Sequence, residues 1–342
     1  MDDLRAERDR ANDRGLALAI IGLGWFGEVL AQAVVASRIG RIVSCFAPTS
    51  KTRAAFAERH GCRPAGSVEA VLDDPGVDAV LIATPHTTHA DLTVAAAEAA
   101  KHVFVEKPFT LTLADARRAG AAAERADVVL QVGHNRRRQP ANRRIKAMID
   151  TGELGFVLQL EGNQSVPGGF RPDLPAWRSD PAEVPAGSMT ALGVHVVDTF
   201  LYFVGPMRAV SALSVRPMGR RAMDEATAVI AEFERGALGY IGTSYYTPNV
   251  ATLAVHGTDA SVWNEEDGAR LFVERRGERD RAPVDVAALD TVADELREFA
   301  ACVRTGTRPE TGAPEAAEVV AVLEAVVRSM ATGQPVKLAD VR

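Results

Sequence analysis

The sequence has 342 residues and a formal net charge of -6, and 47% of its residues are hydrophobic and 25% charged. This length is enough for two domains with ordinary cores, and the composition is that of a globular protein. The net charge gives no general attraction to nucleic acid or to anionic membranes. No run of about 18 apolar residues predicts a membrane span. We therefore expect a small-molecule partner, with neither nucleic acid nor a membrane.

Residues 1–15 are mostly charged and lack the apolar stretch of a secretory signal, so we expect a flexible tail there. Cys45, Cys62 and Cys302 lie far apart in the sequence without the paired spacing typical of a metal site. These features predict a cytoplasmic protein with reduced thiols.

Short apolar runs alternate with stretches of helical spacing between residues 16 and 135. The apolar runs are 16–21, 41–46, 77–83, 102–105 and 128–132. The stretches with helical spacing are 26–37, 89–100 and 113–126. Strands that are apolar on both faces, separated by helices, indicate a parallel sheet covered on both sides. We therefore predict an α/β fold that begins with a doubly wound, Rossmann-type domain over residues 16–135.

The pattern changes after residue 135, where an arginine-rich helix is predicted over 142–150. Strands are predicted at 156–162, 207–215, 226–234, 237–245, 251–257 and 271–274. Several are joined by short turns that contain glycine, which is typical of an antiparallel sheet. Helices are predicted at 191–203, 291–305 and 313–331. Residues 136–342 are thus predicted to form an α+β domain with a mostly antiparallel sheet.

A glycine-rich segment follows the first predicted strand directly and leads into a helix. It comprises Gly22, Gly24, Trp25, Phe26 and Gly27. In a Rossmann fingerprint the first glycine permits the tight turn, and the second lets the backbone approach a pyrophosphate. The third lets the helix pack closely on the strand. The segment predicts a dinucleotide site at the helix N-terminus, the alternative being an ordinary glycine-rich turn.

The end of the second predicted strand indicates which dinucleotide binds. Sites that prefer NAD usually carry a carboxylate about 20 residues after the glycines, where it bonds the ribose 2′-hydroxyl. No carboxylate occurs between Glu28 and Glu58. Hydroxyl and basic side chains occur there instead, namely Thr49, Ser50, Lys51 and Arg53. They predict NADP as the preferred cofactor with NAD as the alternative, unless they are only turn and helix-start residues.

Two further polar segments end neighbouring predicted strands. The first contains Thr84, Pro85, His86 and His89, and the second contains Glu106, Lys107 and Pro108. Both fall at the carboxyl edge of the predicted sheet, where ligands bind in open α/β folds. A lysine beside a nicotinamide can bond a substrate oxygen and assist proton transfer, whereas the alternative is a solvated surface lysine. Since no carboxylate or thiol with metal spacing accompanies the two histidines, we predict no metal and a contact with the cofactor or its neighbouring loops.

Taken together, these motifs resemble the glucose–fructose oxidoreductase, inositol dehydrogenase and rhizopine-catabolism (Gfo/Idh/MocA) family. The matching segments also include Asn135-Arg136-Arg137, residues 152–155, Gly193-Val194-His195 and residues 333–338. The resemblance covers nearly the whole chain after the tail. It implies NAD(P)-dependent hydride transfer between nicotinamide and a carbinol or ketone of a sugar, a cyclic polyol or a related carboxylated ring. It also implies that the second domain's sheet is open on one face, through which a homodimer or homotetramer forms.

The resemblance assigns catalysis to Lys107 and His195. His195 would take the hydroxyl proton, and Lys107 would orient the same oxygen and stabilise its charge. Family members often carry an aspartate four residues before this histidine, but Ala191 stands there. This departure leaves two alternatives open: a dinucleotide-binding regulatory protein without turnover, or an enzyme that uses NAD(P) transiently for elimination or glycoside hydrolysis.

Substrate contacts are expected from Asn135 and Arg136, which lead into the second domain, together with Lys107 and His195. Arg137 and Arg138 either bind an acidic ring or form a solvated basic turn. A long proline-rich loop precedes the His195 helix, and loops of this kind often cover active sites. Its Trp177 and Arg178 complete the predicted substrate contacts, although Trp177 can equally anchor the loop.

Overall fold

The computed structural model describes residues 15–342, so the predicted tail lies outside the described residues except for Gly15. The chain divides into two compact units. Among the described residues, the first unit contains 15–110, together with Ala114–Asn135 and Asp290–Ala316. The second unit contains Leu111–Leu113, Arg136–Leu289 and Ala317–Arg342. No helix in residues 15–342 is both long enough and apolar enough to cross a membrane.

The first unit is built on a six-stranded sheet with the order β3-β2-β1-β4-β5-β6, and all its strands are parallel. The strands are β1 (Leu16–Ile21), β2 (Gly40–Phe46), β3 (Arg63–Pro64), β4 (Ala79–Ile82), β5 (His102–Glu106) and β6 (Leu130–Gly133). The helices among them are α1 (Trp25–Ser37), α2 (Ser50–His60), α3 (Val68–Leu72), α4 (His89–Glu98) and α5 (Leu113–Arg125). This sheet confirms the predicted doubly wound fold.

The central strands of this sheet are apolar on both faces. In β1, Leu18, Ala19 and Ile20 are all fully buried, although consecutive side chains of a strand point to opposite faces. Helices must therefore cover both sides of the sheet. The sequence analysis missed α2, because this helix is mostly polar and buries only Phe56 and Ala57.

The second unit carries a nine-stranded sheet with the order β14-β13-β12-β11-β7-β10-β9-β8-β15. Its strands are β7 (Val157–Ser165), β8 (Met207–Val215), β9 (Ala226–Phe233), β10 (Leu238–Ser244), β11 (Val250–Gly257), β12 (Ala260–Glu265), β13 (Arg270–Arg275), β14 (Ala282–Val284) and β15 (Val336–Lys337). Neighbouring strands are antiparallel except for β7 and β10, which are parallel. The predicted, mostly antiparallel sheet is confirmed, and β12, β14 and β15 are additions to it.

Two helices of the second unit, α6 (Pro140–Asp150) and α7 (Val194–Val204), contribute to its core. Strand β7 runs on to Ser165, beyond the predicted end at Gly162. A Cβ atom at Gly162 would overlap the side chain of Val196 in α7. Glycine at this position therefore lets α7 lie directly on the sheet.

The chain returns to the first unit through α8 (Thr291–Thr305), before α9 (Ala313–Thr332). Gln131 of β6 donates a hydrogen bond to the carbonyl oxygen of Glu295 at 3.0 Å. Thr311 donates to the carbonyl oxygen of Val132 at 2.7 Å. The single domain boundary predicted near residue 135 therefore omits this return of residues 290–316, which no local sequence signal marks.

Candidate active site

The glycine turn after β1 is a close junction of three strand ends. Gly22 has a φ of +98°, and a Cβ atom there would lie 2.5 Å from the carbonyl carbon of Ala83, which follows β4. The N–H of Gly22 donates to the carbonyl oxygen of Phe46 at the end of β2, at 2.9 Å. A Cβ atom at Gly27 would overlap the carbonyl oxygen of Gly22. Both positions therefore require glycine, as the fingerprint predicted.

Gly24 differs, since a Cβ atom there would meet nothing within 4 Å. It is the N-cap residue of α1 and makes no side-chain capping hydrogen bond. The backbone N–H groups of the first helical turn, from Trp25 to Gly27, have no partner within the helix itself. Open space above an uncapped helix N-terminus is a cradle that fits the pyrophosphate of a dinucleotide. Trp25 is 73% exposed beside this space, and Phe26 is partly buried.

The loop between β2 and α2 contains the residues predicted to bind the 2′-phosphate. Thr49, Ser50 and Lys51 are exposed at the N-terminus of α2, which has no side-chain cap. Arg53 folds back and donates to the carbonyl oxygens of Ala47 at 2.6 Å and Pro48 at 3.0 Å. This loop carries no carboxylate, so its charge suits an anionic group at the helix N-terminus.

His89 is completely buried and joins the two loops that follow β4 and β5. One ring nitrogen lies 2.9 Å from the carbonyl oxygen of Pro108, and the other lies 3.0 Å from that of Thr84. His86 is also buried, with its ring centre 5.8 Å from that of His89. His89 thus links the two loops through its ring nitrogens. Within residues 15–342, no group of three or more His, Cys, Asp or Glu residues is arranged to hold a metal ion.

Lys107 follows β5 directly, so it lies at the same sheet edge as the glycine turn. Its side chain is partly buried, and its backbone N–H donates to the carboxylate of Glu106 at 3.3 Å. Glu106 is buried against β6, where a Cβ atom at Gly133 would lie 2.6 Å from Glu106 Oε1. Gly133 therefore leaves the room that this carboxylate needs. The first unit thus presents a lysine beside the carboxyl ends of β1 and β4.

His195 belongs to the second unit, in the first turn of α7, and is partly buried. It lines a small pocket within this unit. The polar residues that share the pocket wall are Arg136, Gln139, Gln164, Thr199, Thr252, Asn264 and Asp267. Most of the residues that line this pocket carry hydrogen-bonding side chains, so the pocket suits a polar group.

Arg136 forms an ion pair with Asp267 through both of its terminal nitrogens. Burial lowers the pKa of Arg136 to about 10, which leaves it positively charged at neutral pH. Asp267 has a φ of +58° within a short turn over residues 266–268, and it also accepts a hydrogen bond from Gln139 at 2.8 Å. Sequence reasoning missed Asp267, whose only local signal is the following glycine.

Arg137 and Arg138 are both buried, so of the two alternatives for them the solvated basic turn is wrong. The Arg137 guanidinium pairs with Asp198 of α7, its Nε lying 2.9 Å from each carboxylate oxygen. Asp198 is itself only 1% exposed, so this ion pair is buried. Asn135 belongs to the first unit, where its amide donates to the hydroxyl of Thr291 at 2.8 Å.

Ala191 lies in a π-helical turn, Met189–Gly193, immediately before α7. It packs in an apolar cluster with Val184, Met223 and Tyr245. Because a π turn is wider than an α turn, a four-residue spacing does not place Ala191 and His195 on one face in the way that an α-helix would. The hydroxyl of the neighbouring Thr190 accepts the Ala186 N–H at 2.9 Å.

Trp177 and Arg178 lie in a short 3-10 turn, Ala176–Ser179. The Arg178 guanidinium lies 4.5 Å from the centre of the Trp177 ring. Burial raises the pKa of the Tyr245 hydroxyl, and the positive charge of Arg178 opposes this rise. Both predicted substrate residues thus make contacts within the second unit.

Fold and site together define an NAD(P)-dependent oxidoreductase. Residues 16–134 match the family model described as "Oxidoreductase family, NAD-binding Rossmann fold". Residues 142–263 match the model described as "GFO/IDH/MocA C-terminal domain". The chain therefore belongs to the GFO/IDH/MocA oxidoreductase family, as the sequence motifs predicted.

Individual relatives agree with this assignment. The chain is 29% identical to 1,5-anhydro-D-fructose reductase of Ensifer adhaerens, over 87% of this chain and 91% of that one. It is 30% identical to scyllo-inositol 2-dehydrogenase (NAD(+)) of Bacillus subtilis strain 168, over 94% and 95% of the two chains. Among solved structures, an oxidoreductase from Desulfitobacterium hafniense DCB-2 matches with a TM-score of 0.90 and 30% identity, over 96% of this chain and 99% of that one.

Proposed function

We propose that this protein transfers a hydride between NADP and a carbinol or ketone carbon of a neutral cyclic polyol or sugar. The observation that carries the proposal is Lys107 at the carboxyl end of β5, on the sheet edge that holds the glycine turn. Two relatives named above act on an anhydro-sugar and an inositol, which supports a ring that bears hydroxyl groups.

Two side chains, Lys107 and His195, act on the reacting oxygen and its proton in the proposed reaction. The nicotinamide, when bound, accepts or donates the hydride. Lys107 holds the carbinol oxygen by donating a hydrogen bond and stabilises negative charge that develops on it. His195 takes the hydroxyl proton during oxidation and returns it during reduction, since an imidazole suits proton transfer near neutral pH.

The preference for NADP rests on the loop between β2 and α2. Lys51 is exposed there, so its replacement leaves the core intact. We expect Lys51→Glu to weaken NADPH binding by about tenfold or more, because a carboxylate repels the 2′-phosphate, while NADH binding changes little. Quenching of tryptophan fluorescence measures both affinities. Lys51→Gln is the matched control and should show a smaller loss, and tighter binding of NADH than NADPH to the wild type would contradict the preference.

The preference for a neutral substrate follows from the arginines of the second unit. Arg136 is paired with Asp267, and Arg137 is paired with the buried Asp198. Each guanidinium is thus already compensated, so neither offers an unpaired charge to a carboxylate. Among ring substrates that differ only by a carboxyl group, we expect the neutral compound to have the higher kcat/KM. A higher kcat/KM for the carboxylated compound would contradict this expectation.

The outer face of the nine-stranded sheet supports assembly as a homodimer or a homotetramer. Leu213, Ile230, Leu238 and Tyr240 are large apolar residues that are at least 41% exposed. Tyr240 pairs directly with Ile230 across β9 and β10, so they form part of a continuous apolar patch. Patches of this kind mark interaction surfaces. Light scattering should therefore give the mass of two or four chains, and the mass of one chain would contradict this proposal.

A further inference from the structure

An orphaned hydrogen-bond acceptor lies in the wall of the pocket that contains His195. Asn264, on β12, is only 2% exposed and lines this pocket. Its Nδ2 donates to Oδ1 of Asn142 at 2.8 Å. Within residues 15–342, Oδ1 of Asn264 has no hydrogen-bond partner. A buried carboxamide oxygen without a partner is unfavourable, and a hydrogen-bond donor on a bound molecule would satisfy it.

The orientation of this amide is fixed by backbone carbonyl groups, which can only accept hydrogen bonds. Asn142 Nδ2 lies 2.8 Å from the carbonyl oxygen of Arg136, so this end of the Asn142 amide must be the NH2 group. Asn142 Oδ1 therefore faces Asn264, which must present its own NH2 group in return. It follows that the oxygen of Asn264 is the atom left over.

A second anchor supports the same orientation. Gln139 Nε2 donates to the carbonyl oxygen of Asp267 at 3.0 Å, which leaves Gln139 Oε1 to accept from Asn142 at 3.1 Å. The same Asp267 holds the guanidinium of Arg136. Asn264, Asn142 and Gln139 therefore each donate in the direction of Asp267, and the acceptor left without a partner belongs to Asn264, a residue that lines the pocket.

We propose that Asn264 Oδ1 is a specificity subsite that accepts a hydrogen bond from one substrate hydroxyl group other than the reacting one. This inference rests on the proposed function and adds to it a residue that selects the substrate. Asn142 and Gln139 are positioning residues, since they act only by orienting the Asn264 amide. A ring that lacks a hydroxyl at this point leaves the acceptor buried and unpaired, and sites of this kind reject such analogues strongly.

The test measures calorimetric binding of myo-inositol and its mono-deoxy derivatives to the protein saturated with NADPH. Polyol and cofactor are both reduced in this complex, so no hydride transfer occurs and binding is separated from turnover. We expect Asn264→Leu to weaken the binding of myo-inositol by about tenfold or more. One mono-deoxy derivative, the one that lacks the recognised hydroxyl, should bind equally to wild type and variant.

Two further variants separate recognition from folding. Asn264→Ser removes the carboxamide oxygen but leaves space for a water that can donate a hydrogen bond to Asn142. This variant should therefore show the same binding pattern as Asn264→Leu. Its melting temperature should fall less. Asn163→Leu is the matched control, because Asn163 is a partly buried amide of the same sheet that does not line the pocket. Asn163→Leu should leave the difference in affinity between myo-inositol and its mono-deoxy derivatives unchanged.

The outcomes distinguish this inference from the proposed function. If the Asn264 variants weakened the binding of myo-inositol and of every deoxy derivative equally, Asn264 would have only a structural role. This result would overturn the inference. Unchanged binding in both Asn264 variants, or no binding of myo-inositol to the wild type, would overturn it as well. If the protein discriminates between myo-inositol and one deoxy derivative but no polyol is oxidised by NADP+, the proposed function is overturned. The subsite at Asn264 would then still stand.

Discussion

Replacing Lys107 by methionine is expected to lower kcat by about 10³ while NADPH binding changes little. Methionine keeps the length of the side chain but removes the charged donor that holds the carbinol oxygen. The glycine turn and the loop after β2, which carry the cofactor proposal, do not contain Lys107. The measurement is steady-state kinetics, with NADPH affinity followed by tryptophan fluorescence.

Lys101 provides a control lysine at the opposite end of the same strand. Its Nζ donates to the carbonyl oxygens of Asp74 and Val77, both at 2.9 Å, so its role is structural. Lys101→Met should lower the melting temperature and leave kcat close to the wild-type value. If Lys107→Met retained wild-type kcat, the lysine would have no part in the reaction.

The second large effect is expected from alanine substitutions at two of the three glycines of the cofactor turn, Gly22 and Gly24. The two substitutions should impair NADPH binding for different reasons. Gly22→Ala places a methyl group against the backbone of Ala83 at a φ of +98°, so the turn itself must shift. Backbone strain of this kind costs about 1–3 kcal/mol, and we expect a lower melting temperature together with loss of NADPH binding. Gly24→Ala should leave the melting temperature unchanged, since its methyl group meets nothing within 4 Å in the protein.

Gly24→Ala should nevertheless weaken NADPH binding by about tenfold or more, because the methyl group would occupy the space proposed for the pyrophosphate. The informative result is this separation of stability from affinity. Thermal unfolding with and without NADPH measures both quantities in one experiment. Tight NADPH binding by Gly24→Ala would show that the cofactor does not approach the helix N-terminus at this point.

The features that the sequence predicted are those determined by local chemistry. Gly22 and Gly27 are required by contacts with residues close in the fold, and the apolar run of β1 is buried on both faces, so periodicity and glycine spacing were sufficient. Helix α2 was missed because it contributes little apolar surface. Amphipathic spacing cannot reveal a helix of this kind.

The features that the sequence did not predict depend on contacts between distant residues. Asp267 meets Arg136 across 131 residues, and Asn264 meets Asn142 across 122. The buried pair of Arg137 and Asp198 likewise contradicts the solvated turn that the local run of arginines suggested. Long-range polar pairs leave no periodic signal, so only the folded structure reveals them.

The most direct test of the account is the absorbance of reduced nicotinamide after neutral cyclic polyols and sugars are mixed with the protein and NADP+. We expect at least one of these compounds to reduce NADP+, with a higher kcat/KM than the same compound shows with NAD+. Tight binding of NADPH without reduction of either cofactor by any compound would contradict the account. It would favour instead a dinucleotide-binding protein without net hydride transfer.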